Sequence, residues 1–192
     1  RYVAFVSQST NLLSEDVNGT DADIFVHDRI GRITELVSQS TSGEQQNGDS
    51  WWTSISATGR YVVFLSDATN LVAGTTEGFY NVFLRDRLLG TTELVSLDSA
   101  GQQPDGNCHL GGISDDGRFL PFDADDFDLV LGYSDLWRKV CLRDRWTGTT
   151  ELVAVSSDGE LANDTTAPYS YAINADGRYV VFTSAASNLV EE

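Results

Sequence analysis

Lysine occurs once in this chain, at Lys139, and only 12 basic residues stand against 29 acidic ones, for a formal net charge of −17. A field of that sign repels phosphate backbones, which excludes nucleic acid and anionic membrane surfaces as partners. Cysteine occurs twice, at Cys108 and Cys141, too few for a disulfide framework. Histidine also occurs twice, so a Ser-His-Asp arrangement must use His27 or His109, and no metal-ligand His/Cys cluster stands in the sequence. No apolar run reaches the roughly 18 residues that a membrane-spanning helix needs. Phosphate-binding glycine loops and dinucleotide fingerprints are missing, and so is any sustained helical periodicity.

What the chain does contain is an echo. Gly-Arg-Tyr-Val-Val-Phe stands at Gly59–Phe64 and again at Gly177–Phe182, with a worn copy at Gly117–Phe122. A second marker keeps step: His27-Asp28-Arg29, Arg85-Asp86-Arg87 and Arg143-Asp144-Arg145 recur every 58 residues, each followed by Thr-Glu-Leu-Val. A fixed period of this length means one supersecondary unit used repeatedly. The repeats run 1–59, 60–117 and 118–177, with a partial copy at 178–192, as one all-β segment.

The middle unit predicts four strands: a short one at Thr53–Ser56, then Arg60–Leu65, Asn81–Arg85 and Thr92–Ser96, with a tight Asp86–Gly90 hairpin between the last two. The second strand is apolar on both faces, with Tyr61, Val63 and Leu65 on one side and Val62 and Phe64 on the other. Four-stranded antiparallel sheets covered on both faces and repeated at a fixed interval describe the blades of a β-propeller. Pro121, inside the second strand of the third copy, predicts a bulge or distortion there.

Asp/Thr-Gly-Arg-Tyr-Val-x-Phe-x-Ser, then Thr-Asn-Leu, then Arg-Asp-Arg-x-x-Gly-Thr-Thr-Glu-Leu-Val, resembles the TolB-type, WD-like propeller repeat of bacteria, over essentially the whole chain. The resemblance implies a fold, an extracytoplasmic setting (periplasmic or secreted) and a spread of roles: scaffolds, peptidase accessory domains and polysaccharide lyases.

With strands lettered A to D outward from the propeller axis, the chain holds B-C-D, two complete sets and a final A-B, about three blades. A six-to-eight-bladed ring at this period needs roughly 350–470 residues. The expected partners are therefore the remaining blades of a longer chain, or a second copy completing a six-bladed ring.

Residues repeated in every copy read as blade architecture. The variable B–C and D–A loops carry the acidic residues and are the expected recognition face. Trp51, His109 and Tyr169 fall at equivalent spacing entering strand A, Trp52 follows Trp51, and Trp137 joins Asp123, Asp125 and Asp126 in the third B–C loop. Aromatic platforms beside carboxylates suit a basic protein segment, a cation or a neutral glycan. Asp16, Asn18, Asp21 and Asp23 alternate around Gly19 as oxygen ligands for Ca²⁺ would, although the same residues make ordinary Asx turns. The leading expectation is a non-catalytic binding or scaffold module. The alternatives are a propeller-fold carbohydrate-active enzyme using Asp side chains and His109, and a propeller fragment without independent function. Cys108 and Cys141 lie two strands apart in one blade, beyond disulfide reach, and are expected as free thiols.

Overall fold

A computed structural model describes residues 1–12, 14, 16–75, 78–125, 130 and 140–190, with 167–169 as backbone only. All its regular elements are strands: β1 (Tyr2–Ser7), β2 (Asp23–Asp28), β3 (Ile33–Leu36), β4 (Ser50–Ile55), β5 (Tyr61–Ser66), β6 (Asn81–Asp86) and β7 (Thr91–Leu94). There follow β8 (Cys108–Leu110), β9 (Phe119–Ala124), β10 (Cys141–Asp144), β11 (Thr149–Leu152), β12 (Thr166–Ile173) and β13 (Val180–Ser184). They pair antiparallel in chain order as β1-β2-β3, β4-β5-β6-β7, β8-β9-β10-β11 and β12-β13, the B-C-D, A-B-C-D, A-B-C-D, A-B series that the repeats predict. Two compact units divide the chain, Arg1–Val95 and Ser96–Glu192, each holding two sheets.

Burial explains the absence of alternation. Every residue of β6 and all but the first of β5 are buried. In the first unit Ile24, Val26, Val37, Val62, Phe64 and Phe83 form one apolar core between the two sheets. The outermost strands β3, β7 and β11 are short and polar, with exposed and covered residues alternating.

The repeated charged residues hold one end of each sheet. Arg1, Arg60 and Arg118, just before or at the start of the B strand, make two-pronged contacts to Asp28, Asp86 and Asp144 at the end of the C strand, with Nη2–Oδ2 distances of 2.6, 2.7 and 2.6 Å. The same carboxylates accept N–H groups of the C–D turn, from Ile30 at 2.9 Å, Leu88 at 2.9 Å and Trp146 at 3.0 Å. Each aspartate thereby ties the start of B to the turn after C. Gly59, at φ 76°, has no room for a Cβ because the Tyr2 ring of the preceding sheet lies 2.0 Å from where that atom would stand. Gly177 meets the Phe119 ring in the same way. The Gly-Arg-Tyr signature thus joins a turn glycine, an ion-pair arginine and a ring that seats on the next blade.

Three expectations need revision. Strand A of the middle copy starts at Ser50 rather than Thr53, because a bulge at Trp52 lets pairing run on from Trp51↔Leu65 to Thr53↔Phe64. Pro121 leaves its pairing with β10 regular, and the shortened ladder is the one to β8, which stops at Leu110↔Phe122 before the glycine pair Gly111-Gly112. The carbonyl of Pro121 accepts Gly111 N at 3.1 Å, so its missing N–H also faces that strand. The last repeat is 60 residues long because β12 makes a register shift between Thr166, paired to Ser184, and Tyr171, paired to Phe182. Tyr169 lies inside that shift, so it does not share the register of Trp51 and His109.

The hydrogen bonds from Arg118, with those of Trp146 and Thr147, outweigh partial burial and hold the Asp144 carboxyl down at about 2. An aspartate depressed in the folded state contributes stability that is full above its unfolded value, near 3.9, and lost as the pH falls through the folded value. Urea midpoints should therefore drop between about pH 5 and pH 2. Asp144→Asn should lower the midpoint at pH 7 and flatten that acid slope. A parallel fall in both proteins would deny the pair this role.

Candidate functional site

The non-repeating polar residues fall into separate clusters, two in the first unit and one in the second. In the first cluster the amide nitrogen of Gln45 stands at the convergence of four oxygens: Asn18 Oδ1 at 2.7 Å, Asp16 Oδ1 at 3.1 Å, and Asp23 Oδ2 and Oδ1 at 3.2 and 3.3 Å. Asp23 opens β2 and is 2% exposed. Burial pushes its carboxyl up, against the hydrogen bonds from Gln45, Asn18 and Ser38. Three of the four sequence-proposed calcium ligands are thus brought together around a side-chain amide. The fourth, Asp21, acts instead on Asp67. No group of three or more His, Cys, Asp or Glu able to hold a metal occurs among the described residues.

The second cluster surrounds the start of β4. Asp49 Oδ1 accepts Ala22 N at 2.7 Å, and Asp67 Oδ1 accepts Asp49 N at 2.8 Å. Burial first, then the charges of Asp49 and Asp21, push the Asp67 carboxyl up. Tyr80 is raised by burial and by Asp67 and Asp49, and shares a hydrogen bond with the Trp51 indole. Trp51 is half-buried, whereas Trp52 is 56% exposed and sits on the bulge at φ 46°. A bulky residue in the left-handed region is held there against its preference.

In the second unit His109 and Asp123 face one another across β8 and β9, with Nδ1 2.6 Å from Oδ1. Asp123 had been expected in the B–C loop. It is instead a fully buried residue of β9, because its position in the ladder is that of Leu65 in β5, while His109 takes that of Trp51. A polar His–Asp pair has replaced an apolar Trp–Leu pair. The Tyr171 ring lies where a Cβ on Gly111 would stand, its hydroxyl accepts Asp123 N at 3.1 Å, and burial followed by the Asp123 charge raises its pKa. Cys108 and Cys141 are buried and not joined in a disulfide. Burial, with Asp123 and Cys108 nearby, pushes the Cys141 thiol up to about 12, so it is protonated at neutral pH and a poor nucleophile. Asp125 follows β9, half-buried, its N–H on the Asn107 carbonyl at 2.9 Å. Asp126 and Trp137 lie outside the described residues.

Gln45, Tyr80 and Tyr171 went unnoticed in the sequence because each lies on another strand or turn, far along the chain from the side chains it meets. The signal that would have found the His109–Asp123 pair is spacing, since both residues sit 58 positions beyond Trp51 and Leu65.

No protein-family model and no curated protein matches the chain. Solved structures do. TolB from Acinetobacter baumannii superposes with a TM-score of 0.52 at 14% identity, over 90% of this chain and 34% of that one. The tricorn protease superposes with a TM-score of 0.53 at 15% identity, over 95% of this chain and 14% of that one. The fold is therefore a TolB-like β-propeller fold, and the chain spans about a third of TolB.

Two stability effects follow. Gln45→Ala removes the donor shared by Asp16 and buried Asp23 and should cost about 1–3 kcal/mol in urea unfolding. His109→Ala should cost a similar amount, about 1–3 kcal/mol, by removing a hydrogen-bond partner of the buried Asp123 carboxyl. The pair His109→Leu with Asp123→Leu should recover most of that loss, since both polar partners are then gone. A double variant as unstable as the single one would mean that the pair does more than satisfy itself.

Proposed function

We propose that this chain is a segment of an extracytoplasmic, non-catalytic propeller that recognises a basic protein segment through its acidic loop face, beside Trp52. Trp52 carries the reading. It is an indole 56% exposed, held at φ 46° at the loop end of strand A, in a chain of net charge −17. An exposed indole on a chain of this charge favours a guanidinium or ammonium group, by cation–π attraction together with the long-range field. The residues that recur in every blade are engaged in blade architecture, which leaves recognition to the variable ones. The buried His109–Asp123 pair and the protonated Cys141 thiol give the enzymatic alternative little to work with.

Titrating the chain with an arginine- and lysine-rich peptide while following tryptophan fluorescence tests this. Binding should weaken as salt rises, and Trp52→Ala should weaken it about three- to tenfold, as loss of a cation–π contact allows. Binding to neutral glycans alone, or an affinity untouched by Trp52→Ala, would overturn the reading.

A further inference from the structure

Two Asn-Gly pairs stand in the sequence, Asn18-Gly19 and Asn47-Gly48, and the fold treats them in opposite ways. In such a pair the backbone nitrogen of the glycine can attack Cγ of the asparagine side chain. The N–H proton leaves, an N–C bond forms, and the side-chain nitrogen departs as ammonia, giving a cyclic imide. Water then opens the imide to aspartate or isoaspartate. Glycine favours the step because no Cβ hinders its nitrogen and its backbone turns freely.

Asn47-Gly48 is locked against this reaction. Asn47 Nδ2 donates to Thr69 Oγ1 at 3.0 Å and Oδ1 accepts Thr69 N at 2.9 Å, so both ends of the amide are pinned. The backbone N–H of Asn47 is held on Asn70 Oδ1 at 3.0 Å. Gly48 is crowded as well: a Cβ there would collide with Asp67 Oδ1 and meet the Ala68 backbone at 3.2 Å.

Asn18-Gly19 is open, and its reacting atoms have the partners the reaction needs. Gly19 is exposed at φ 75°, with no atom within 4 Å of where a Cβ would stand. Its nitrogen, the nucleophile, donates to Asp16 Oδ1 at 3.3 Å, which puts a carboxylate where the proton must go. Asn18 Oδ1, the oxygen on which negative charge develops, accepts Gln45 Nε2 at 2.7 Å. Asn18 Nδ2, the leaving nitrogen, is the weakly held atom, 3.4 Å from both Asp23 Oδ1 and the Gln46 carbonyl. A proton acceptor, an oxyanion donor and a loosely held leaving group thus meet at one residue.

We infer that Asn18 is a site of self-catalysed modification, converted to aspartate or isoaspartate by the Gly19 nitrogen with Asp16 and Gln45 assisting. The consequence reaches beyond the loop. A carboxylate in place of the Asn18 amide would join Asp16 and buried Asp23 around the one Gln45 amide, and an isoaspartyl link would lengthen the main chain shortly before β2. Either change weakens the first unit, so the loop acts as a slow timer on that unit's stability.

Peptide mapping of the intact chain during incubation in neutral buffer tests this, with the same chain in urea as the reference and Asn47 as the internal control. Asn18 should convert at least about threefold faster in the folded chain than in urea. Asn47 should convert about tenfold or more slower when folded, since both ends of its amide must first be released. Asp16→Asn and Gln45→Ala should each slow Asn18 about threefold or more. Asn47 should stay slow in both variants, reporting that the fold is kept. Asn18→Asp should unfold at a lower urea midpoint than the unconverted chain. Conversion of Asn18 no faster in the folded chain than in urea, or an unchanged Asn18 rate in both variants, would refute the assisted reaction. An unchanged midpoint for Asn18→Asp would refute the timer.

Discussion

An aspartate at the end of each C strand holds the blade together. Asp28, Asp86 and Asp144 each accept a two-pronged arginine from the start of the neighbouring B strand and the backbone N–H groups of the turn that follows C. One carboxylate thereby sets the register of B against C and the entry into D. The arrangement also fixes where the arginine lies. Arg1 and Arg60 stack on the rings of Tyr2 and Tyr61, and Arg118 covers Phe119. The rings of Tyr2 and Phe119 are the ones that seat on the turn glycines Gly59 and Gly177, so an electrostatic device within a blade also prepares the contact between blades.

This division of labour explains why so much charge carries so little chemistry. The arginines are committed: Arg85 and Arg143 reach carbonyls of the preceding turn, and Arg87 and Arg145 reach the carbonyls of Gly59 and Gly117. What distinguishes one blade from another lies at the opposite end: Gln45 among Asp16, Asn18 and Asp23, the bulged Trp52, and the His109–Asp123 pair. A repeat architecture keeps its common residues for stacking and releases the loops to vary.

The period, the strand order and the structural role of the Arg-Asp-Arg triplets were legible in the sequence, because a residue that must do the same job in each blade recurs at the same spacing. Local irregularities were not. The bulge that extends β4 back to Ser50 and the shift within β12 each add residues to one strand without changing the apolar pattern of its partner. The pattern that identified the strands is therefore blind to them. Asp123 was misplaced for a related reason. An acidic residue at the head of an acidic run reads as loop, and only the ladder position it shares with Leu65 reveals it as a strand residue facing His109.

His27 is the informative exception among the repeated positions. Where Arg85 and Arg143 extend across to a neighbouring turn, the shorter imidazole stays within its own sheet and meets Thr34. In a nearest-neighbour architecture each interface must be complementary on both sides. His27 satisfies itself on Thr34, whereas Arg85 and Arg143 each tie their sheet to the turn before it, so the first sheet is the one whose C strand forgoes that tie.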